Sequence, residues 1–88
     1  MRPIARIKVL VDTDEGSEPI IYEYFYFENQ EIRDKAYDYL EEHSSEVFCV
    51  EGTYELIEEF AEYEKVNYYT SNDDFDRPNR IDTREFIY

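Results

Sequence analysis

Apolar and polar residues alternate over residues 4–11: Ile7, Val9 and Val11 point one way, Arg6 and Lys8 the other, and Leu10 is the exception. A period of two is the mark of a strand with one buried face. Residues 12–19, from Asp12 to Pro19, are dense in turn formers. The run that follows, Ile20–Phe27, is rich in β-branched and aromatic residues. One of its faces carries Ile21, Glu23, Phe25 and Phe27; the other carries Ile20, Tyr22, Tyr24 and Tyr26. Together the two runs predict a β-hairpin. The tyrosine face can be half-buried, because each ring is apolar while its hydroxyl stays wet.

After Phe27 the period changes. Asn29 suits the N-cap of a helix over residues 30–44. Ile32, Ala36, Tyr39, Leu40 and His43 then share one helical face, and Glu31 and Lys35 form a favourable i,i+4 pair. Val47–Val50 is a short apolar run that predicts a buried strand. Gly52-Thr53 opens a second helix reaching about residue 65, with Leu56, Ile57, Phe60, Ala61 and Tyr63 facing inward. The rival is a hairpin turning at Glu51-Gly52 with Thr53–Ile57 as its return strand; Glu58-Glu59-Phe60-Ala61-Glu62 favours the helix. Val66–Thr70 predicts a strand, Ser71–Arg80 a polar loop and Ile81–Tyr88 a closing strand. The expected fold is α+β, in the order β-β-α-β-α-β-β, with two helices on a mainly antiparallel sheet of about four to five strands. With 88 residues, no internal repeat and no dividing linker, a single domain spanning residues 1–88 is expected.

Charge narrows the function. The chain has 23 acidic and 9 basic residues, a net −14. Direct binding of nucleic acid or of an anionic membrane requires a basic footprint, so neither is expected. No apolar run approaches the roughly 18 residues of a membrane-spanning helix. Met1–Arg6 leads into an alternating segment and not into a signal-peptide core. Cys49 is the only cysteine, which rules out an internal disulfide and favours a cytoplasmic setting. Ten Tyr and six Phe supply the buried area that separates this chain from an acidic disordered one. Three Ala beside eight Ile argue against a halophilic origin for the acidity.

Catalytic and metal chemistry find little support. His43 is the only histidine, lies on the inner edge of a predicted helix and has no nucleophile with an orienting partner near it in sequence. Cys49 sits between Phe48 and Val50, an apolar setting that disfavours the thiolate. The loop Asp12–Glu18 spaces its acids like a calcium loop, but Gly16 is at the fifth position where the sixth is needed. Asn72–Asp76 has a similar look. Among 23 acids a carboxylate pair at any chosen separation is nearly guaranteed, so separation is no evidence of glycosidase chemistry. Phosphate loops and zinc spacings are missing. The chain is expected to be no enzyme and to need no metal or cofactor.

What remains is where the charge sits. Residues 31–64 hold twelve acids against two bases, Arg33 and Lys35, a net −10 of the total −14. Apart from Lys65, the other bases cluster towards the chain ends, at Arg2, Arg6, Lys8, Arg77, Arg80 and Arg84, which predicts a polarised molecule. Asp34, Asp38, Glu41 and Glu42 share a side of the first helix; Glu55, Glu58, Glu59 and Glu62 share a side of the second, with Glu51 extending the row. Like charges at i,i+4 weaken a helix by roughly 0.2–0.5 kcal/mol per pair. Solubility needs a net charge of only about 2–8 in magnitude, so the excess points to a functional anionic surface.

In size, net charge, Tyr/Phe/Glu richness and rows such as Glu55–Glu62, the chain resembles the small acidic phage-encoded inhibitors, the DNA-mimic and anti-CRISPR proteins. The resemblance covers composition and no alignable motif. It implies a non-enzymatic inhibitor whose partner is a basic nucleic-acid-binding protein: a nuclease, a CRISPR effector complex, a restriction enzyme or a repair enzyme. The acid rows would contact that partner, with exposed tyrosines as anchors. Tyr54 and Tyr63 stand beside the second row; Tyr37, Tyr68 and Tyr69 are further candidates. Two rival readings are an antitoxin or immunity-type protein neutralising a basic toxin, and a structural or regulatory subunit whose acidity is incidental.

Overall fold

A computed structural model describes residues 3–11, 21–43, 50–77 and 79–87. The fold is α+β: β1 (Ala5–Val11), β2 (Ile21–Phe27), α1 (Gln30–Glu42), α2 (Val50–Glu64), β3 (Tyr68–Thr70) and β4 (Asp82–Ile87). The sheet is four-stranded and mixed, in the order β3-β2-β1-β4. β1 runs antiparallel to β2, from Ala5 opposite Phe27 to Val11 opposite Ile21. β2 and β3 are also antiparallel, while β1 and β4 are parallel.

The hairpin forms with the expected faces. Ile7, Val9, Phe25 and Phe27 are fully buried and form the floor of the core. α1 begins where Asn29 caps it, its side-chain oxygen accepting the Ile32 N–H at 2.9 Å. Ala36 and Leu40 bring α1 onto the sheet, and Leu56, Ile57 and Phe60 bring α2 beside it. Both helices lie on the same side of the sheet, because their apolar residues join one core with Ile7, Phe25 and Phe86.

The sheet is mixed: two of its three ladders are antiparallel, as expected, and the third, β1 with β4, is parallel. β3 and β4 occupy opposite edges, so the chain crosses the sheet between them. A crossover returns the chain in the direction of the strand it left, and β3 runs the same way as β1, so β4 pairs with β1 in parallel. The strand expected at residues 47–50 is not seen at Val50, which is already helical; residues 47–49 lie outside the described residues, and the described order is β-β-α-α-β-β. The rival hairpin at residues 51–57 is excluded, since α2 runs unbroken through it. Tyr63, expected inward, is 84% exposed. The buried stripe of α2 runs through Thr53, Leu56, Ile57, Phe60 and Ala61, and at about 100° per residue Tyr63 falls roughly a quarter-turn from its centre.

The crossing segment covers part of the sheet face that has no helix. Phe75 packs edge-on against Tyr26, with ring centroids 4.8 Å apart, and tilts against Tyr69 at 5.3 Å. Arg77 lies 4.4 Å over the Phe75 ring and donates to the carbonyls of Ser71 and Asp73. The Asp73 carboxylate accepts the Thr70 N–H at 2.7 Å and its hydroxyl at 3.4 Å. The acid-rich loop Asn72–Asp76 thus uses its first Asp as a turn clasp. The calcium-like segment Asp12–Glu18 and Cys49 lie outside the described residues.

α1 is fastened to the far edge by Arg33, only 3% exposed. Its Nη1 donates to the carbonyls of Arg6, at 3.2 Å, and Asp82, at 2.9 Å. Nε pairs with Asp34 at 2.8 Å and Nη2 with the Asp82 carboxylate at 2.5 Å. One guanidinium therefore joins α1, β1 and the parallel partner β4. α2 ends in a left-handed residue, Lys65 (φ 56°), and the Val66 N–H reaches back to the Ala61 carbonyl at 3.1 Å. This six-to-one bond closes the last turn in the Schellman manner.

Candidate interaction surface

The two acid rows differ in how free they are. On α2, Glu51, Glu55, Glu58, Glu59 and Glu62 are all exposed, and among the described residues none of them pairs with a base. Glu55, Glu58, Glu59 and Glu62 line one shallow depression with no other residue type in it. On α1, Asp38, Glu41 and Glu42 are exposed. Asp34 is different: Arg33 and Arg84 both hold it, Arg84 at 3.0 Å. The hydrogen bonds from Arg84 and then Arg33 keep its carboxyl below the usual carboxylate range. Its charge is largely spent inside the fold, so the α1 row begins in effect at Asp38.

The rows meet where the helices touch. A groove of about 640 Å³ between them is lined by Asp38 and Glu42 from α1 and by Glu59 and Glu64 from α2. Glu59 belongs to this groove and to the α2 depression. The anionic surface is therefore continuous from Asp38 across Glu59 to Glu55 and Glu62.

The tyrosine candidates divide. Tyr63 stands on the groove rim, exposed as an interface anchor must be. Tyr54 turns to the sheet: its ring packs edge-on against Phe25 at 5.2 Å and its hydroxyl donates to Glu23 at 2.5 Å. Burial, followed by the Glu23 contact, pushes the Tyr54 phenol up to about 12. Tyr54 is thus part of the frame. So are Tyr37, stacked edge-on with Phe86 at 5.4 Å, and Tyr68, whose phenol is raised by burial. Tyr69 is engaged by Phe75.

The sequence places Glu23 on one strand face with Ile21, Phe25 and Phe27 but gives it no role. It accepts from the Tyr54 hydroxyl, from the Ser71 hydroxyl at 2.6 Å and from the Tyr24 N–H at 2.8 Å, tying β2 to α2 and to the exit of β3. Burial alone would raise its pKa; these donors outweigh it and leave the carboxyl below its ordinary value. An acid on an apolar face, with tyrosines nearby in sequence, was the only available signal.

The opposite side of the sheet has the opposite character. Arg6 lies 4.3 Å over the Tyr24 ring, and Lys8 lies 4.9 Å over Tyr22. Arg6 also donates to the Tyr26 and Thr83 hydroxyls. With Arg77 over Phe75, three cations sit on aromatic rings of the helix-free face, while the helices carry the acids. The expected polarity is partial: Arg84 lies over Tyr37 and pairs with Asp34 of α1, on the helix side, and Asp74 and Asp76 stand beside Phe75 on the crossing segment.

No group of three or more metal-ligating side chains is assembled among the described residues. No described helix is long and apolar enough to cross a membrane. Protein families, curated proteins and solved structures were all compared with the chain, and none matches it.

Proposed function

We propose that the protein is a non-enzymatic inhibitor that sets the anionic face of α1 and α2 against a basic nucleic-acid-binding surface of another protein, in a cytoplasmic setting. The observation that carries this reading is the row Glu51, Glu55, Glu58, Glu59 and Glu62, exposed and without a pairing base among the described residues. Bases are available in this chain, yet three of them sit on rings across the sheet. An unrelieved like-charge row lowers helix stability, so its presence supports a role outside the fold. Such a surface speeds association with a cationic partner and rejects wrong ones.

Spacing limits what the face imitates. Successive i,i+4 carboxylates on one helix are about 6 Å apart along its axis, whereas duplex DNA carries one charge per roughly 1.7 Å of its axis. The second helix narrows that gap without closing it. The face therefore suits a short single-stranded or groove-edge segment of a nucleic-acid path better than a whole duplex.

The test measures association with purified candidates from the implied classes: a nuclease, a CRISPR effector, a restriction enzyme and a repair enzyme. At low salt one of them should bind quickly, with an on-rate that falls as salt rises. Replacing Glu55, Glu58, Glu59 and Glu62 with Gln should slow that on-rate at least tenfold while leaving the fold intact. A partner bound equally fast by the quadruple variant would move the interface to another face. A partner with no basic nucleic-acid site would favour the toxin-neutralising or subunit readings.

A further inference from the structure

The groove between α1 and α2 is more than part of an acidic face. Its floor is aromatic: Tyr39 packs edge-on against Phe60 at 5.9 Å and tilts over His43 at 4.4 Å. Tyr63 rises at the rim, 84% exposed. The Tyr39 hydroxyl donates to Glu59 Oε2 at 3.1 Å, which fixes a carboxylate directly beside the rings. Carboxylates stand on both walls, Asp38 and Glu42 on one and Glu59 and Glu64 on the other.

A second source of negative potential is the backbone. Glu42 and Glu64 end their helices, and His43 caps α1, so the groove lies at the C-terminal turns of both helices. The last turn of a helix exposes carbonyls and carries partial negative charge, which normally attracts Lys or Arg. Neither helix has a basic residue in its last turn. Besides the His43 imidazole, the base lining the groove is Lys35, which leans towards Glu31, 4.0 Å away, one turn earlier on α1. Aromatic rings, carboxylates on two sides and two helix C-termini all favour a flat cation.

We infer that this groove receives an arginine side chain of the protein partner, its guanidinium stacked between Tyr39 and Tyr63 and hydrogen-bonded to Glu59 and Glu42. The inference rests on the proposed engagement of a basic protein and names the anchor within it. Arginine is favoured over lysine because its planar, weakly hydrated head both stacks on rings and forks onto carboxylates. Desolvated anchors of this kind carry affinity, whereas rim charges mainly set the on-rate.

The probe is a blocked Gly-Arg-Gly peptide, compared with the same peptide carrying neutral, isosteric citrulline. Aromatic and backbone NMR spectra of the whole chain are followed at low salt. The arginine peptide should shift Tyr39, His43 and Tyr63 saturably, leave Tyr22 and Tyr24 unmoved, and bind at least fivefold more tightly than the citrulline peptide. Tyr63→Ala and Glu59→Gln should each weaken it at least threefold, and Glu55→Gln less than twofold. Tyr63 is exposed, so its truncation leaves the fold in place, which an unchanged melting temperature verifies. Shifts confined to Glu55, Glu58 and Glu62, or equal binding of citrulline, would overturn the arginine anchor while leaving the anionic-face reading standing. No saturable shift anywhere, even with a hexa-arginine peptide, would overturn both.

Discussion

Replacing Arg33 with Met should be the most damaging single change outside the apolar core. The guanidinium is buried and makes four contacts, but they are not equal. The Asp34 and Asp82 side chains are 48% and 47% exposed, so water can replace the arginine there; each such pair contributes under about 1 kcal/mol. The carbonyls of Arg6 and Asp82 sit beneath the side chain, where Met offers no donor. Leaving a buried acceptor unsatisfied costs about 1–3 kcal/mol. Two carbonyls, less some compensation from the apolar replacement, give a loss of about 3 kcal/mol against a total stability of roughly 5–15 kcal/mol. For a domain of this size that lowers Tm by about 12–24 °C. Urea unfolding followed by circular dichroism measures it, with Asp34→Asn and Asp82→Asn as controls costing under about 1 kcal/mol each. Arg33→Lys should fall between, since an ammonium cannot reach all four acceptors in one plane. Should Arg33→Met lose less than about 1 kcal/mol, or Asp34→Asn lose as much as Arg33→Met, the carbonyl contacts are not what fastens α1 to β1 and β4.

Further changes have signs that follow from the same geometry. Lys65→Gly should raise stability by about 1 kcal/mol, because a residue with a Cβ is strained at φ 56° and glycine is not; a lower Tm would refute it. Glu23 and Asp34 have folded pKa values below their ordinary 4.5 and 3.8, so their stabilisation is complete above those values and is lost as pH falls through the depressed ones. Acid titration should therefore show a steep loss below about pH 4.5, and Glu23→Gln should flatten part of it. At pH 7, replacing Glu55, Glu58, Glu59 and Glu62 with Gln should stabilise the protein by about 1–2 kcal/mol at low salt, from several relieved like-charge pairs. Added salt should shrink that gain by screening; a gain independent of salt would mean repulsion is not its source.

What the sequence disclosed was local. The alternation of Ile7, Val9, Phe25 and Phe27 determines which face is buried whatever lies elsewhere, and Asn29 caps α1 through a bond only three residues long. The acid row of α2 follows from helical period alone. Contacts between distant segments left no such signal. Pairing of β4 with β1 is parallel because the chain crosses the sheet, and nothing in Ile81–Tyr88 records that. Arg33 looks like a surface base until the carbonyls of Arg6 and Asp82 are placed beneath it. Phe75 reads as one apolar residue in a polar loop, yet it fills the helix-free sheet face against Tyr26. Helical period put Tyr63 inward and gave Tyr54 no side; in the fold Tyr54 turns to Glu23 and Tyr63 is exposed. The groove between the helices depends on how α1 crosses α2, which neither helix encodes alone.

The central claim is that the anionic face occupies a nucleic-acid path. Equilibrium competition tests it most directly: labelled nucleic acid bound to the partner is titrated with this protein at fixed salt. The account predicts that the apparent Kd of the nucleic acid rises in proportion to added protein, that excess unlabelled nucleic acid displaces the protein in turn, and that the variant with Gln at positions 55, 58, 59 and 62 competes at least tenfold less well. A stable ternary complex of partner, protein and nucleic acid, with both affinities unchanged, would contradict it.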